Sequence, residues 1–478
     1  MRHTFGTTDT HAIVIGGSMA GLLAARVLTE HFARVTLIER DILPAGTAPR
    51  RGVPQDRHTH GLLASGRQVL DDLFPGFSWD LADQGAIRCD VLRDARWHFE
   101  GGDLARPLSG LQGLMASRPF LEAAVRARVL RLPALTARQG EQVVGLTASS
   151  TGDRVTGIRL SDGGTLPADL VVDATGRGSR SPQWLVSMGY EAPVEERVEI
   201  GLSYTTRWFR RQPEHLNGDV AAVTPPTPAG KRGGVMLAQE GDCWTVTLIA
   251  HFVEAAPVDL EGFTAFAATL PSPDIHDVIR RAEPIDEAVT ARFPASLRRR
   301  YERLTRLPDR YVVLGDGLCS FNPIYGQGMS VAALEAVTLG DTVADGAQDV
   351  GRRFFRAAAR IVDTPWTIAV GNDLRMPETV GPRHPMTALI NGYMAQLRRA
   401  AQRDPVLART FMGVASLMAP PSAVLHPRIA WRVLRDRVRW VVTGRHLALR
   451  TPRVGETAPL GEWPGLARNR SALPTRIE

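Results

Sequence analysis

A chain of 478 residues can bury a large core and is long enough for two or three domains. With 44% hydrophobic and 22% charged residues, and no low-complexity tract or repeat, it is neither disordered nor fibrous. The formal charge of +7 is carried by arginine, since Lys231 is the one lysine, and no basic block sits beside a binding motif, so no nucleic-acid partner is expected.

Three widely spaced cysteines, Cys89, Cys243 and Cys319, form no metal spacing and point to a reducing compartment; no metal site is expected. The first residues lack the apolar core of a signal peptide, and no uncharged apolar run reaches the length of a membrane span. A cytoplasmic protein is the expectation.

Ala12-Ile13-Val14-Ile15 is a short unbroken apolar run, suited to a strand buried on both faces of a parallel sheet. Gly16-Gly17-Ser18-Met19-Ala20-Gly21 follows, then the helix-forming Leu22 to Leu28. A second β-rich run, Arg34 to Ile38, ends in Glu39 and Arg40. Strand, glycine turn, helix, strand, acid is the order a dinucleotide needs. The helix N-terminus meets the pyrophosphate, small residues admit the backbone, and an acid about 20 residues on takes a ribose hydroxyl. Glu39 lies 23 residues after Gly16. In the G-x-G-x-x-G pattern the middle glycine is replaced by Ser18, with Gly17 beside it to keep the turn pliable.

A Pro/Gly/Arg-rich loop runs from Leu43 to His60 and ends in the polar Gln55, Asp56, Arg57, His58, Thr59 and His60. A helix is expected from about Leu62 to Leu73. Ser117-Arg118-Pro119 has the look of a helix start, with Ser as cap and Pro in the first turn. A β-meander follows at 142–147, 155–160 and 166–167, turned by Asp162-Gly163-Gly164, and feeds a buried strand, Asp169 to Asp173, ending in Ala174-Thr175-Gly176. Between roughly Glu191 and Arg300 the pattern changes to alternating strands such as Gly201–Thr206 and Trp244–Ile249, read as an antiparallel sheet. Tyr311 to Leu314 is again a buried strand, closed by Gly315-Asp316. Beyond about Val350 the chain is mostly helical with proline breaks.

Three distant stretches now converge: the glycine turn, Asp173-Ala174-Thr175-Gly176-Arg177-Gly178-Ser179-Arg180, and Gly315-Asp316 through Asn322-Pro323-Ile324-Tyr325-Gly326-Gln327-Gly328-Met329-Ser330. Asp316 at a strand end suits a polyol, and Gly326 to Met329 opens a helix whose free N–H groups suit a developing negative charge. Together, over residues of about 10 to 345, these resemble the flavoprotein monooxygenases of the aromatic hydroxylase and squalene epoxidase type. The resemblance implies an α/β fold: a Rossmann-type, glutathione-reductase-like FAD-binding domain (1–190 and 301–345), an inserted antiparallel-sheet substrate domain (191–300), and a helical C-terminal region (346–478). It implies that Gly16, Ser18, Met19, Ala20, Gly21, Glu39 and Arg40 hold the dinucleotide. Arg118 lies by the ribityl-pyrophosphate, Val143 at the adenine, Asp316 on the ribityl chain, and Pro323, Gly326, Gly328 and Met329 at the flavin's pyrimidine edge. Gln55, with Arg57 and His58 as the weak catalytic candidates, belongs to a loop that orients cofactor or substrate or is only structural. Arg177 and Arg180 face cofactor phosphate or solvent, and both readings stay open.

The stretch Gly52 to His60 and the two later motifs look closer still to the polyene epoxidases of polyether ionophore biosynthesis, although a wider set of flavin oxygenases shares them. The family's Asp-Gly pair, associated with pyridine-nucleotide binding, is here Asp173-Ala174-Thr175-Gly176, so the source of electrons stays open: NADPH or NADH directly, or a partner flavin reductase. The chemistry implied is transfer of one oxygen atom from O2, through a flavin C4a-hydroperoxide, to a hydrophobic small molecule. Alkene epoxidation comes first and ring hydroxylation second. A flavin-dependent halogenase would place a lysine between flavin and substrate, whereas Lys231 is expected in a turn. An alkene reductase and a non-catalytic prenyl-binding escort on related folds are the remaining alternatives. Finally, a helix from Arg428 to Val442 would carry Arg428, Arg432, Arg435 and Arg439 on one stripe. Ile429, Ala430, Val433, Leu434, Val438, Trp440 and Val441 would lie opposite, with Arg437 among them. Packing on the body is favoured over contact with a membrane surface.

Overall fold

The computed structural model describes residues 9–48 and 54–443. At its centre lies a five-stranded parallel sheet in the order Tyr311–Val313, Leu170–Asp173, His11–Ile15, Arg34–Glu39, Leu135–Gln139. Every residue of His11–Ile15 and Leu170–Asp173 is buried, which is why these strands read as unbroken apolar runs. The Met19–Leu28 helix links the first two strands and packs on the Gly328–Ala344 helix. The expected class holds: a mixed α/β protein whose parallel sheet carries the Rossmann-type strand–turn–helix unit. The meander of Val143–Ala148, Val155–Leu160 and Thr165–Pro167 is present as read.

The second sheet is wider than the sequence suggests. Its eight strands run Cys319–Ser320, Val289–Arg299, Glu195–Arg210, Cys243–His251, Arg232–Gln239, Ala221–Thr224, Ala95–Phe99, Gly102–Asp103. Three of them come from outside 191–300. Two are only two residues long, and Ala95–Phe99 pairs in parallel with Ala221–Thr224, far away in sequence, so no local periodicity announces them.

The C-terminal region is helical: Val350–Asp373, Met386–Ala401, Pro405–Ala415 and Pro427–Thr443. These helices share an apolar cluster with Leu92 and Leu104, so the region packs against the hairpin Ala95–Phe99/Gly102–Asp103. The last helix corrects the sequence reading. Ile429 and Val433 are its buried contacts, whereas Leu434 and Val438, expected on the packed face, are 50% and 52% exposed. The helix touches the body along a strip narrower than the apolar arc, because ion pairs hold its edges: Arg432 with Asp404 at 2.7 Å and Asp436 with Arg403 at 2.7 Å. Arg437 is exposed and needs no partner in the core. The side chains of Arg439, Trp440 and Val441 lie outside the described residues. Among the described residues no helix is long and apolar enough to cross a membrane.

Candidate active site

The glycine turn is built by two contacts that no side chain permits. Gly16 has φ +103°, and a Cβ on it would stand 2.6 Å from the Ala174 carbonyl oxygen. A Cβ on Gly21 would stand 1.7 Å from the Gly16 carbonyl oxygen, so the helix starts flush against the strand end. The Gly17 N–H donates to Glu39 Oε2 at 2.7 Å, and the Asp41 N–H donates to Oε1 at 3.0 Å, which fixes the acid beside the turn. Ser18, the departure from the glycine pattern, has a use for its side chain. Its hydroxyl donates to Glu122 Oε2 (2.9 Å) and accepts from Arg118 Nη2 (2.8 Å). The buried Arg118 thereby reaches the turn from the Arg118–Val129 helix, whose cap is Ser117, as its sequence implies.

Opposite, Tyr311–Val313 leads into Gly315-Asp316. Gly315 has φ +67°, and a Cβ there would press on Ala20 Cβ at 2.8 Å, so this strand end and the first helix touch. Asp316 is accessible on the cavity wall while protein encloses it beyond. That enclosure pushes its carboxyl pKa up, against the opposing pull of Arg118 and Arg177. Beneath it, Glu335 accepts the Gly315 N–H at 2.6 Å, and burial raises its pKa to about 8. Neither the Met19–Leu28 helix nor the Gly328–Ala344 helix has a side-chain cap or an acid in its first turn. Both N-termini border one cavity of about 1640 Å³.

That cavity takes in most of the residues singled out from sequence. Gly16, Ser18, Met19, Ala20, Glu39, Arg40, Arg118, Val143, Asp316, Pro323, Gly326, Gly328 and Met329 all border it. Gly21 lies one turn behind and acts through packing. His58 also borders it; its Nδ1 lies 2.9 Å from Thr206 Oγ1, and its ring meets Tyr204 edge-on at 4.6 Å. Burial lowers His58 to about 4, and burial with Arg118 nearby lowers His60 to about 3, so both rings are neutral at neutral pH. Arg57 does not join them: it is exposed and absent from the cavity lining, its side chain acts electrostatically on Asp286, and its carbonyl accepts the Trp208 indole N–H at 3.4 Å. The Gln55 side chain lies outside the described residues.

The middle motif is a joint. Asp173 is fully buried and accepts from the Thr175 N–H and hydroxyl and from the Ser179 and Ser181 hydroxyls, which turns it inward to the fold. Arg177 binds Ser320 Oγ (3.0 Å) and the Ala295 carbonyl (2.8 Å) and stacks over Phe293, tying the parallel sheet to the antiparallel one.

The remaining cavity is a chamber walled on one side by the antiparallel sheet, with Tyr204, Val223, Val235, Leu237, Ile249 and Phe293. Its other wall comes from the C-terminal helices and the 95–103 hairpin: Trp97, Phe99, Ile368, Met394, Phe411 and Met412. The sequence reading missed this second wall. The one local signal was the alternation of Ala95 to Phe99 ending in Glu100-Gly101-Gly102, a hairpin turn with an unusual first residue.

Fold and site together define an FAD-dependent oxidoreductase. The profile of the FAD dependent oxidoreductase family matches residues 12–220. Over 436 residues the chain is 35% identical to Protein Rv3254 of Mycobacterium tuberculosis, covering 86% of this chain and 90% of that protein, and it belongs to the same family. Two solved structures share the fold at low identity. A flavoprotein/dehydrogenase from Cytophaga hutchinsonii has TM-score 0.63 and 15% identity over 91% of this chain and 99% of its own. PqsL, a probable FAD-dependent monooxygenase from Pseudomonas aeruginosa, has TM-score 0.55 and 16% identity over 85% of this chain and 99% of its own.

The residues present fit FAD on grounds independent of those matches. Two uncapped helix ends face one cavity, and among the described residues Gln327 Oε1 is a buried acceptor without a partner at the second helix start.

Proposed function

We propose that the protein is an FAD-dependent monooxygenase that epoxidises an alkene in a hydrophobic polyketide- or terpenoid-like molecule, working in a reducing cytoplasm. One observation carries the reading. The two helix N-termini and Asp316 open onto the same cavity as a largely apolar chamber between the sheet and the C-terminal helices. When bound, FAD activates O2 and supplies the transferable oxygen atom. The chain binds and orients that group: Glu39, Arg40 and Val143 toward the adenosine end, the glycine turn and Arg118 at the pyrophosphate, Asp316 at the ribityl chain, and Pro323, Gly326, Gly328 and Met329 at the ring. The sheet's apolar face excludes water, which guards a reactive oxygen donor against wasteful breakdown. Epoxidation asks no proton of a side chain, which agrees with a chamber whose His58 is held neutral.

Asp173 spends its acceptor capacity on Thr175, Ser179 and Ser181, and this supports electrons arriving through a partner flavin reductase over direct docking of a nicotinamide there. Lys231 pairs with Glu378 and is not among the cavity-lining residues, which supports oxygenation over halogenation. A second reading, hydroxylation of a phenolic ring, draws on one feature. Asp373, bonded to the Tyr325 hydroxyl at 2.8 Å, is raised by burial to about 7, a value suited to taking a phenolic proton.

The test supplies purified protein with FAD, a flavin reductase, NADH and 18O2 alongside a panel of lipophilic polyenes and alkylphenols. Mass spectrometry should find one heavy oxygen per turnover in an epoxide. Heavy oxygen in a phenol would select the second reading, and peroxide release with no labelled product from any panel member would overturn both.

A further inference from the structure

The hairpin that closes the antiparallel sheet turns on Glu100-Gly101, at φ +52° and +85°. A two-residue turn with both φ positive favours Asn, Asp or Gly at its first position, and a glutamate there is strained. What Glu100 gains is its contacts. Its Oε1 accepts from Arg375 Nη2 at 2.9 Å, and from Arg398 Nε at 3.1 Å and Nη2 at 2.7 Å. Arg375 follows the Val350–Asp373 helix and Arg398 belongs to the Met386–Ala401 helix, so three distant segments meet at one oxygen atom.

The charges do not balance. Two guanidinium groups share one carboxylate, and Arg399 adds a third positive charge within reach of Glu100. Asp373 is the other acid nearby; its Oδ1 already accepts from Asn322 and Tyr325, and at a pKa of about 7 it is only partly charged at neutral pH. Arg398 is 2% exposed, yet both it and Arg375 border the cavity. Among the described residues, Arg398 Nη1 and Arg375 Nε and Nη1 make no hydrogen bond. An under-compensated guanidinium pair, one member buried and the other half-buried, is costly unless an anion completes it. Next to it stand Trp97 stacked on Phe99 (6.4 Å) and Phe411 edge-on to Phe99 (5.4 Å), a continuous aromatic wall.

We propose that Arg375 and Arg398 receive the carboxylate of an otherwise apolar substrate, whose hydrocarbon body lies along Trp97, Phe99 and Phe411. The proposal rests on the monooxygenase reading and names its substrate class: a lipophilic acid. The paired arginines supply charge-assisted, forked hydrogen bonds, and Glu100 holds their planes in register. Both arginines act electrostatically on the Tyr325 phenol, in the turn assigned to the flavin, so the anchored carboxylate sets which carbon stands at the ring.

Isothermal titration calorimetry on the purified holoenzyme, with dodecanoate and with methyl dodecanoate, tests this without turnover. Dodecanoate should bind about tenfold more tightly, or better, than its ester. Arg375→Met and Arg398→Met should each bring the two affinities together, and Glu100→Gln should keep or widen the gap. If Arg398→Met does not fold, Arg375→Met decides, since Arg375 is partly exposed and not needed to fill the core. Equal affinity for acid and ester, no saturable binding of the acid, or a gap that survives Arg375→Met would overturn the proposal. Flavin content and 18O2 incorporation are measured separately, so failure of the oxygenation reading is distinguishable from failure of the anion site.

Discussion

Asp316 and Glu335 are stacked at one strand end, and their contrast is testable. Asp316 opens to the cavity and is assigned to the ribityl chain. Asp316→Ala should weaken FAD binding by about 10- to 100-fold, the loss of one or two charge-assisted hydrogen bonds, and leave the apoprotein's thermal stability nearly unchanged. Absorbance of the bound flavin after gel filtration checks the first expectation, and calorimetry the second. Glu335 has no access to solvent, and its pKa rises from 4.5 to about 8. With the folded value above the unfolded one, its contribution is fully present below about pH 4.5 and is lost as pH rises through about 8. Glu335→Gln should therefore flatten the fall in melting temperature between about pH 6 and pH 9. An unchanged slope would show that other groups set it. Asp316 was legible in the sequence because a strand, two glycines and a helix start frame it. Glu335 was not, because a helix that is apolar and buried on most of its faces does not mark which of its acids folds inward.

Among the elements, the last helix shows where a helical wheel stops being informative. Its sequence fixes two faces, but which apolar residues are covered depends on a partner surface made from Leu397, Leu407 and Val424 of other segments. Val433→Glu should unfold the protein or destabilise it by about 3 kcal/mol or more, since it forces a charge into that cluster. Leu434→Glu, one residue on and half exposed, should change stability by no more than about 0.5 kcal/mol. Denaturant melts of the two variants, side by side, check the register of the helix. Equal losses would mean that the packed face is broader than Ile429 and Val433. The glycine turn lies at the other extreme: Gly16 and Gly21 are dictated by backbone contacts within a dozen residues or at the neighbouring strand, so the sequence displays them openly. The Ala95–Phe99/Gly102–Asp103 hairpin is hidden for the converse reason, being short and paired to a strand over a hundred residues away.

For the molecule as a whole, the first strands of the parallel sheet and the glycine turn between them were readable because the strand, turn, helix and acid follow one another at fixed spacings on one continuous stretch of chain. The chamber was readable only in half. Its sheet wall follows from alternation between 191 and 300, whereas its second wall is assembled from the hairpin at 95–103 and helices beyond 350, and its arginines look like any surface arginine until the fold turns them to the cavity. Lys231 adds a practical corollary. It sits in a turn of the antiparallel sheet and pairs with Glu378, just past the Val350–Asp373 helix, so the chain's single ammonium side chain spans sheet and C-terminal region. That makes it a chemical address: an amine reagent finds one side chain, and a lysine-specific protease finds one peptide bond, after 231. A zero-length carbodiimide should weld Lys231 to Glu378 as an amide and erase that cleavage site. Treated protein should then run as an uncut chain on a denaturing gel, while untreated, unfolded protein yields two fragments of nearly equal size. Equal cutting of both would mean that the sheet and the C-terminal region part company in solution.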